Sequence, residues 1–251
     1  LCVYSDDQAT PYSWYEPKAI GKEPESMDYR VKKAFNPIQR QYPCGSSWAF
    51  SAVSSIESHI FLKTNEQVKL SEQYLIDCSK GFGFPNETGH TGCGPGWKSG
   101  AMEYVIKNGI AYADTYPYNG TVGTCNQDAQ KTPHRVKEIK EVTNGSDTEL
   151  LNALLHLGPV AVSIFTSENF GNYTGGIFED ELCHDANETN LAVVLVGYGK
   201  EDGESGKKYW IIRNSYGDNW GEKGYMKLSR DINNHCLISS IAFIPIIELA
   251  E

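Results

Sequence analysis

Apolar residues downstream of Ser47 recur with the spacing of a helix that buries one face. They stand at Ala49, Ala52, Val53, Ile56 and Ile60. This period predicts an amphipathic helix with its N-terminus at Ser47. A second helix is predicted after Ser71, and a third over residues 101–107, where Gly109 closes the pattern. The first half of the chain is therefore predicted to be mainly helical.

The second half of the chain changes to short runs that are typical of strands. Ser146 and Glu149 form a capping box that predicts a short helix, and Gly158 ends it. Strand-like runs follow at 160–164, 192–196, 209–212 and 225–228. Helices followed by strands indicate an α+β protein with two lobes.

The composition is that of a globular protein with an excess of negative charge. Of 251 residues, 40% are hydrophobic and 22% are charged, which suits one large domain or two halves that share a cleft. The formal net charge of -10 argues against binding to nucleic acid or to anionic lipid. The most apolar stretch, residues 238–250, contains Pro245 and Glu248 and is too short to span a bilayer. We predict no membrane span, no metal site and no cofactor.

Cysteines and glycosylation sequons indicate passage through the secretory route. Seven Cys would be unusual in a reducing cytosol, and five N-x-S/T sequons lie in polar, turn-rich segments. The sequons are at Asn86, Asn119, Asn144, Asn172 and Asn187. We expect a glycoprotein that is secreted or extracellular, with a lysosomal or vacuolar location as the alternative. The chain shows no signal peptide, as expected if one has been removed.

Six segments of the chain, in order, resemble motifs of the papain-like cysteine proteases. They are PESMDYR at 24–30, QYPCGSSWAF at 41–50, LSEQYLIDCS at 70–79, GCGPG at 92–96, NLAVVLVGYG at 190–199 and YWIIRNSYG at 209–217. Asn234, His235 and Cys236 resemble a motif of the cathepsin L-like members. The resemblance implies a papain-like fold with a helical lobe and a β-barrel-like lobe around a cleft. We expect an N-terminal extension or propeptide remnant at 1–23, the helical lobe at 24–134 and the β lobe at 135–251.

Both positions of the family's catalytic pair are altered. The resemblance places the nucleophilic Cys at Ser47 and the catalytic His at Leu191, while Gln41 and Asn214 keep the family residues. A serine hydroxyl loses its proton far less readily than a thiol and needs an adjacent base, which Leu191 cannot supply. We therefore predict that the chain is not an enzyme but a pseudoenzyme. Ser47 is interpreted as a helix N-cap, and Asn214 is expected to make local hydrogen bonds.

The resemblance also implies a disulfide pairing, which spacing alone leaves open because six Cys allow 15 pairings. The implied pairs are Cys44 with Cys93, Cys78 with Cys125, and Cys183 with Cys236. Cys2 is left over, either free or bonded to another chain or to a segment absent here.

We expect the cleft to be retained although the catalytic Cys and His are replaced. The resemblance gives it Gly96, Trp97, Ser163, Tyr216, Trp220 and Ile241, with Lys98 and Leu191 beside the second specificity pocket. Gly96 matches the glycine whose backbone pairs with extended substrates in relatives. Plain core packing is the competing interpretation of the pocket residues.

Three functions remain open on the sequence. The leading hypothesis is a secreted, inactive papain-like pseudoprotease that works by binding peptides, a cystatin-like protease inhibitor or another protein. The first alternative is a residual or altered hydrolase that depends on Ser47. The second is a storage, structural or antigenic protein. The oligomeric state is left open.

Overall fold

The structure is a computed structural model that describes residues 12–82, 92–203 and 206–249. Within these ranges the α-helices are α1 (Ser47–Thr64), α2 (Glu72–Cys78), α3 (Lys98–Asn108) and α4 (Asp147–His156). The strands are β1 (Tyr12–Trp14), β2 (Met27–Asp28), β3 (Arg135–Glu141), β4 (Val160–Ile164), β5 (Ile177–Phe178), β6 (Leu191–Lys200), β7 (Lys208–Arg213), β8 (Tyr225–Ser229) and β9 (Ala242–Glu248). The predicted α+β class is confirmed, and no described helix has the length and apolarity needed to cross a membrane.

The predicted helices are confirmed, and local capping explains their ends. The Ser71 hydroxyl accepts a hydrogen bond from the Tyr74 N–H at 2.9 Å and so begins α2. The Ser146 hydroxyl accepts from the Glu149 N–H at 3.2 Å, which is the first half of the predicted capping box. Helix α3 ends where Gly109 adopts φ +74°, a conformation that glycine tolerates.

Two details of the helical prediction are wrong. The N-cap position of α1 belongs to Ser46, and Ser47 is the first helical residue, so Ser47 is not a cap. Helix α3 begins at Lys98 and not at residue 101. Its first turn was missed because Lys98 and Ser99 are polar, yet both are buried.

One mixed sheet carries the strands in the order β1-β3-β9-β4-β6-β7-β8-β5, and β2 pairs with β6. The four predicted strands are confirmed as β4, β6, β7 and β8. Strands β1, β3 and β9 were not predicted. Strand β1 lies at the edge of the sheet and runs parallel to β3, with Tyr12 opposite Ile139.

The centre of the sheet is buried on both faces. Along β4, Val160 and Val162 belong to a core formed mainly by the strands, while Ala161 belongs to a core formed mainly by α1, α2 and α3. Ala192 of β6 also belongs to the helical core. Because alternate residues of a strand point to opposite faces, Ser163 shares the helix-facing side with Ala161. The site described next lies where this face meets the first turn of α1.

Candidate active site

Ser47 lies at the N-terminus of α1, half-buried, against the beginning of β6. Its hydroxyl oxygen accepts a hydrogen bond from the Ala192 N–H at 3.2 Å. One helical turn further on, the Ser51 hydroxyl donates to the Val193 carbonyl at 2.7 Å. These two bonds join α1 to β6 and fix Ser47 beside the strand.

Leu191 is the first residue of β6 and pairs with Ile164 of β4. Its neighbour Ala192 is the residue that contacts Ser47, so position 191 lies next to the hydroxyl along the strand. The Leu191 side chain is buried and carries no group that could accept a proton. The site therefore presents an aliphatic side chain where the family pattern has an imidazole.

Gln41 is held between its own loop and the segment around Ser215. Its side-chain amide nitrogen donates to the Cys44 carbonyl at 3.2 Å, and its amide oxygen accepts from the Ser215 hydroxyl at 2.7 Å. The Gln41 backbone N–H also donates to the Ser215 carbonyl at 2.9 Å. The loop that precedes α1 is thus fixed to the loop that follows β7.

Asn214 makes the local hydrogen bond that the sequence predicted. Its side-chain oxygen accepts from the Ser215 N–H at 2.8 Å. Its amide nitrogen is buried and, among the described residues, has no hydrogen-bond partner. An unsatisfied buried donor is costly, and the resemblance gives this residue the role of orienting an imidazole.

Three of the described histidines are hydrogen-bonded to residues other than Ser47. His59 is bonded to the Pro159 carbonyl, and His134 to Glu66. His235 accepts a hydrogen bond from the Asp180 N–H at 3.1 Å and is buried. Within the described ranges no imidazole is hydrogen-bonded to Ser47. His90 falls outside those ranges.

An open groove of about 470 Å³ lies along the loop that leads into α1. It is lined by Arg40, Gln41, Tyr42, Pro43, Cys44, Gly45, Tyr216 and Trp220. Tyr216 and Trp220 were predicted here and their rings pack edge to face, with centroids 5.7 Å apart. Tyr42 is 73% exposed at the mouth of the groove. Arg40 and Gly45 were not predicted, although Arg40 precedes the motif that identified Gln41 and Ser47 and Gly45 lies within it.

The other predicted cleft residues do not line this groove in the described structure. Ser163 and Ile241 are linked by a hydrogen bond from the Ser163 N–H to the Ile241 carbonyl at 3.0 Å. The Ser163 hydroxyl accepts from the Lys98 ammonium at 2.5 Å. Trp97 immediately precedes α3 and is half-buried. Ser163 and Lys98 are therefore buried on the helix-facing side of β4, away from the residues that line the groove.

Gly96 serves the packing of Trp48. A Cβ atom at position 96 would lie 2.6 Å from the indole ring of Trp48, which is buried. We expect Gly96→Ala to lower the free energy of unfolding by roughly 1 to 3 kcal/mol, because a buried ring has little room to shift. Gly21→Ala is the control, since a Cβ there meets nothing within 4 Å. Urea denaturation of both variants tests this, and equal stability of the two would contradict it.

Three disulfides join the described cysteines: Cys44–Cys93, Cys78–Cys125 and Cys183–Cys236. The first lies directly below the groove, because Cys44 is one of its lining residues. Cys2 and the sequon at Asn86 fall outside the described residues. The sequon residues Asn119, Asn144, Asn172 and Asn187 are all exposed.

Ser47 at a helix N-terminus against β6, together with Gln41 and Asn214, occupies the positions that the resemblance gives to a papain-like site. Residues 23–246 match the Papain family cysteine protease. The chain therefore belongs to the papain family of cysteine proteases, and the papain-like fold is confirmed.

Similar proteins include cathepsins and digestive proteinases. Cathepsin K of Mus musculus is 38% identical over 244 residues, which cover 96% of this chain and 69% of that protein. Digestive cysteine proteinase 2 of Homarus americanus is 35% identical over 236 residues, which cover 93% of this chain and 70% of that protein. The structure of digestive procathepsin L 3 from the larval midgut of Tenebrio molitor is similar, with a TM-score of 0.81 and 34% identity. The match covers 92% of this chain and 73% of that chain.

Family membership contradicts the prediction that the chain is not an enzyme. The family is one of proteases, and a relative at 35% identity is named a proteinase. Cys183, His235 and Cys236 also lie close together, with ligand atoms within 4.8 Å of one another, although both sulfurs belong to one disulfide. The prediction treated two replaced side chains as proof of lost activity, and replacement by itself does not establish that loss.

Proposed function

We propose that this papain-family protein binds an extended peptide, or an extended segment of another protein, in the groove beside Ser47. The proposed partners are peptides, a cystatin-like protease inhibitor or another protein. The observation that carries the proposal is the open groove of about 470 Å³ whose lining includes the loop at 40–45, which leads into α1 and Ser47. Its size is within the range of small-ligand and peptide sites, roughly 300 to 1,000 Å³.

The groove has the composition of a binding site. Aromatic side chains supply large contact areas at low entropic cost, and they dominate the energetics of many interfaces. Here Tyr42, Tyr216 and Trp220 provide that surface. The Trp220 indole N–H donates to the Phe170 carbonyl at 3.3 Å, so this ring is held in place before a ligand arrives. A preorganised wall reduces the ordering cost of binding.

The proposed setting is outside the cytosol. Three disulfides suit an oxidising compartment, and the described sequon residues are exposed as glycan attachment requires. We extend the proposal to a secreted glycoprotein, with a lysosomal or vacuolar location as the alternative. We also propose that residues 1–23 are an N-terminal extension or propeptide remnant, that 24–134 form the helical lobe and that 135–251 form the β lobe.

Family membership favours a second candidate, hydrolysis of the bound peptide with Ser47 as the nucleophile. Ser47 is half-buried and follows the groove-lining Gly45 by two residues, and its hydroxyl would need a proton acceptor that Leu191 does not provide. Hydrolysis requires the same binding groove, so the two candidates differ only in the fate of the bound peptide.

Replacement of Tyr42 tests the groove without harming the fold, because the ring is 73% exposed. We expect Tyr42→Ala to weaken binding of an extended-peptide library, or of a cystatin, by at least about fivefold, as for a truncated aromatic contact. Trp14→Ala is the matched control, since Trp14 is 62% exposed on the edge strand β1. Fluorescence polarisation gives the dissociation constants.

The same titration separates the candidates. If neither probe binds the natural chain, or if Tyr42→Ala and Trp14→Ala bind equally well, the groove is not the binding site. Analysis of the library by mass spectrometry after incubation shows whether peptides are cut. Products that disappear in Ser47→Ala would favour hydrolysis, and an intact library would favour binding alone.

A further inference from the structure

Two of the glycosylation sequons lie beside the walls of the groove. Asn119 is exposed, and both of its neighbours in the sequence contact residues that line the groove. The Tyr118 hydroxyl donates a hydrogen bond to the Gln41 carbonyl. A Cβ atom at Gly120 would lie 3.0 Å from Cδ of Pro43, so the two residues are packed together. Asn119 therefore stands beside the wall that leads into α1.

The second sequon stands beside the wall that carries Trp220. Asn172 is exposed at the end of a short 3-10 helix that begins at Phe170. The Phe170 carbonyl accepts the Trp220 indole N–H at 3.3 Å. Tyr173, the residue after Asn172, packs its ring against Trp220 with centroids 5.7 Å apart. Each wall of the groove thus has one sequon next to it.

Both asparagines present a free amide nitrogen for a glycan. Oδ1 of Asn119 accepts hydrogen bonds from the Thr121 N–H at 2.9 Å and from the Thr121 hydroxyl at 3.1 Å. Within the described ranges, no hydrogen bond occupies the Nδ2 nitrogen of Asn119 or of Asn172, which is the atom that a glycan joins. The two sites are therefore open to modification in the folded protein.

The other two described sequons have neighbours that bond elsewhere. After Asn144, the Gly145 N–H donates to the Ser239 carbonyl at 2.9 Å. Before Asn187, the Ala186 N–H donates to the Cys183 carbonyl at 3.3 Å. None of these residues lines the groove. Asn144 and Asn187 therefore provide glycans of the same kind away from the groove.

The size of the groove explains what glycans on its walls would do. A stable complex of two folded proteins buries about 800 Å² and roughly 20 to 30 residues on each partner. Only eight described residues line the groove, so a folded partner must extend over both walls. N-linked glycans are bulky and occupy the surface around their attachment site. A narrow, extended peptide can lie between the walls without covering them.

We propose that N-linked glycans at Asn119 and Asn172 restrict the groove to extended peptides and exclude folded proteins. Specificity then comes from a steric obstacle to one class of ligand as well as from the aromatic contacts that favour the other. This inference rests on the proposed function and selects, among its partners, the flexible peptide over the folded inhibitor.

Removal of the two sequons tests the inference in protein that is secreted with its glycans. Mass spectrometry of glycopeptides first gives the occupancy of Asn119 and Asn172. In the double variant Asn119→Gln, Asn172→Gln, we expect a cystatin to bind at least about tenfold more tightly than to the natural chain. The affinity for an extended peptide should change by less than about twofold, because the groove itself is intact.

Two further variants serve as controls. The double variant Thr121→Ala, Thr174→Ala removes both sequons but keeps both asparagines, so it should gain the same affinity for the cystatin. The double variant Asn144→Gln, Asn187→Gln removes two glycans away from the groove and should bind both probes as the natural chain does. Thermal melting of each variant shows that it is folded.

The outcomes separate the inference from the proposed function. An unoccupied Asn119 or Asn172, or a cystatin affinity that is unchanged without both glycans, overturns the inference while peptide binding still supports the proposed function. A gain seen only when the asparagines are replaced also overturns the inference, because the side chains and not the glycans then cause it. If neither probe binds any variant, both are overturned.

Discussion

Replacement of Ser47 by Cys and of Leu191 by His in one chain is expected to raise the rate of peptide hydrolysis roughly 10²- to 10⁴-fold over the natural chain. Position 47 begins α1, and a helix N-terminus lowers the pKa of a thiol. Position 191 immediately precedes Ala192, whose N–H donates to the residue 47 side chain, and the resemblance gives position 191 the catalytic imidazole. The resemblance gives Asn214 the role of orienting that imidazole, and its buried amide nitrogen has no hydrogen-bond partner among the described residues.

The single variants are the controls. Ser47→Cys alone lacks the base, and Leu191→His alone lacks the thiol, so each should gain much less than the double variant. Fluorogenic dipeptide substrates give the rates, and a thiol-directed epoxide reports whether the new thiol is reactive. A double variant that hydrolyses peptides no faster than the natural chain would contradict this expectation. It would show either that the fold no longer holds positions 47 and 191 in catalytic geometry, or that other residues of the natural chain already act as nucleophile and base.

The second large effect concerns acid stability and rests on His59. Its ring is buried and donates from Nε2 to the Pro159 carbonyl at 2.8 Å. Burial lowers the pKa of His59 to about 4 from an ordinary value of 6.5. Between pH 4 and pH 6.5 the His59 imidazole is therefore protonated in the unfolded chain but not in the folded protein. Stability is therefore lost as the pH falls from 6.5 towards 4, by about 3 kcal/mol in total.

Urea denaturation at pH 7 and at pH 4.5 measures this loss. His59→Gln keeps a hydrogen-bond donor and removes the titration, so its stability should fall less between the two pH values. His156→Gln is the matched control, because His156 is exposed at the end of α4 and should leave the loss unchanged. A pH dependence that is the same in the natural chain and in His59→Gln would contradict the assignment.

The elements that the sequence predicted are those with local signals. Ser71 and Ser146 predict the starts of α2 and α4, because each side chain accepts a capping hydrogen bond from a backbone N–H within one helical turn. Strand β4 is apolar at every position except Ser163, because both of its faces are buried. Strands β1 and β9 lack such signals. Strand β1 has three residues and pairs with residues far along the chain, and β9 contains Pro245, which sequence patterns count against a strand.

The positions of the site were predictable, but their contacts were not. The motifs place Gln41, Ser47 and Asn214 in the cleft, whereas the bond from Ala192 to Ser47 depends on how α1 packs against β6. The close approach of Gly96 to the Trp48 ring, which occupies its Cβ direction, is also a property of the packed structure.

Hydrogen exchange with and without a bound peptide tests the central claim, which is that the groove beside Ser47 holds an extended segment. The peptide should be the tightest binder selected from the extended-peptide library. We expect slower exchange of backbone amides in residues 40–45 and 214–220, which form the two sides of the groove. Residues 29–33 lie outside the groove lining and should be unaffected. Binding that leaves 40–45 and 214–220 unprotected would contradict the account.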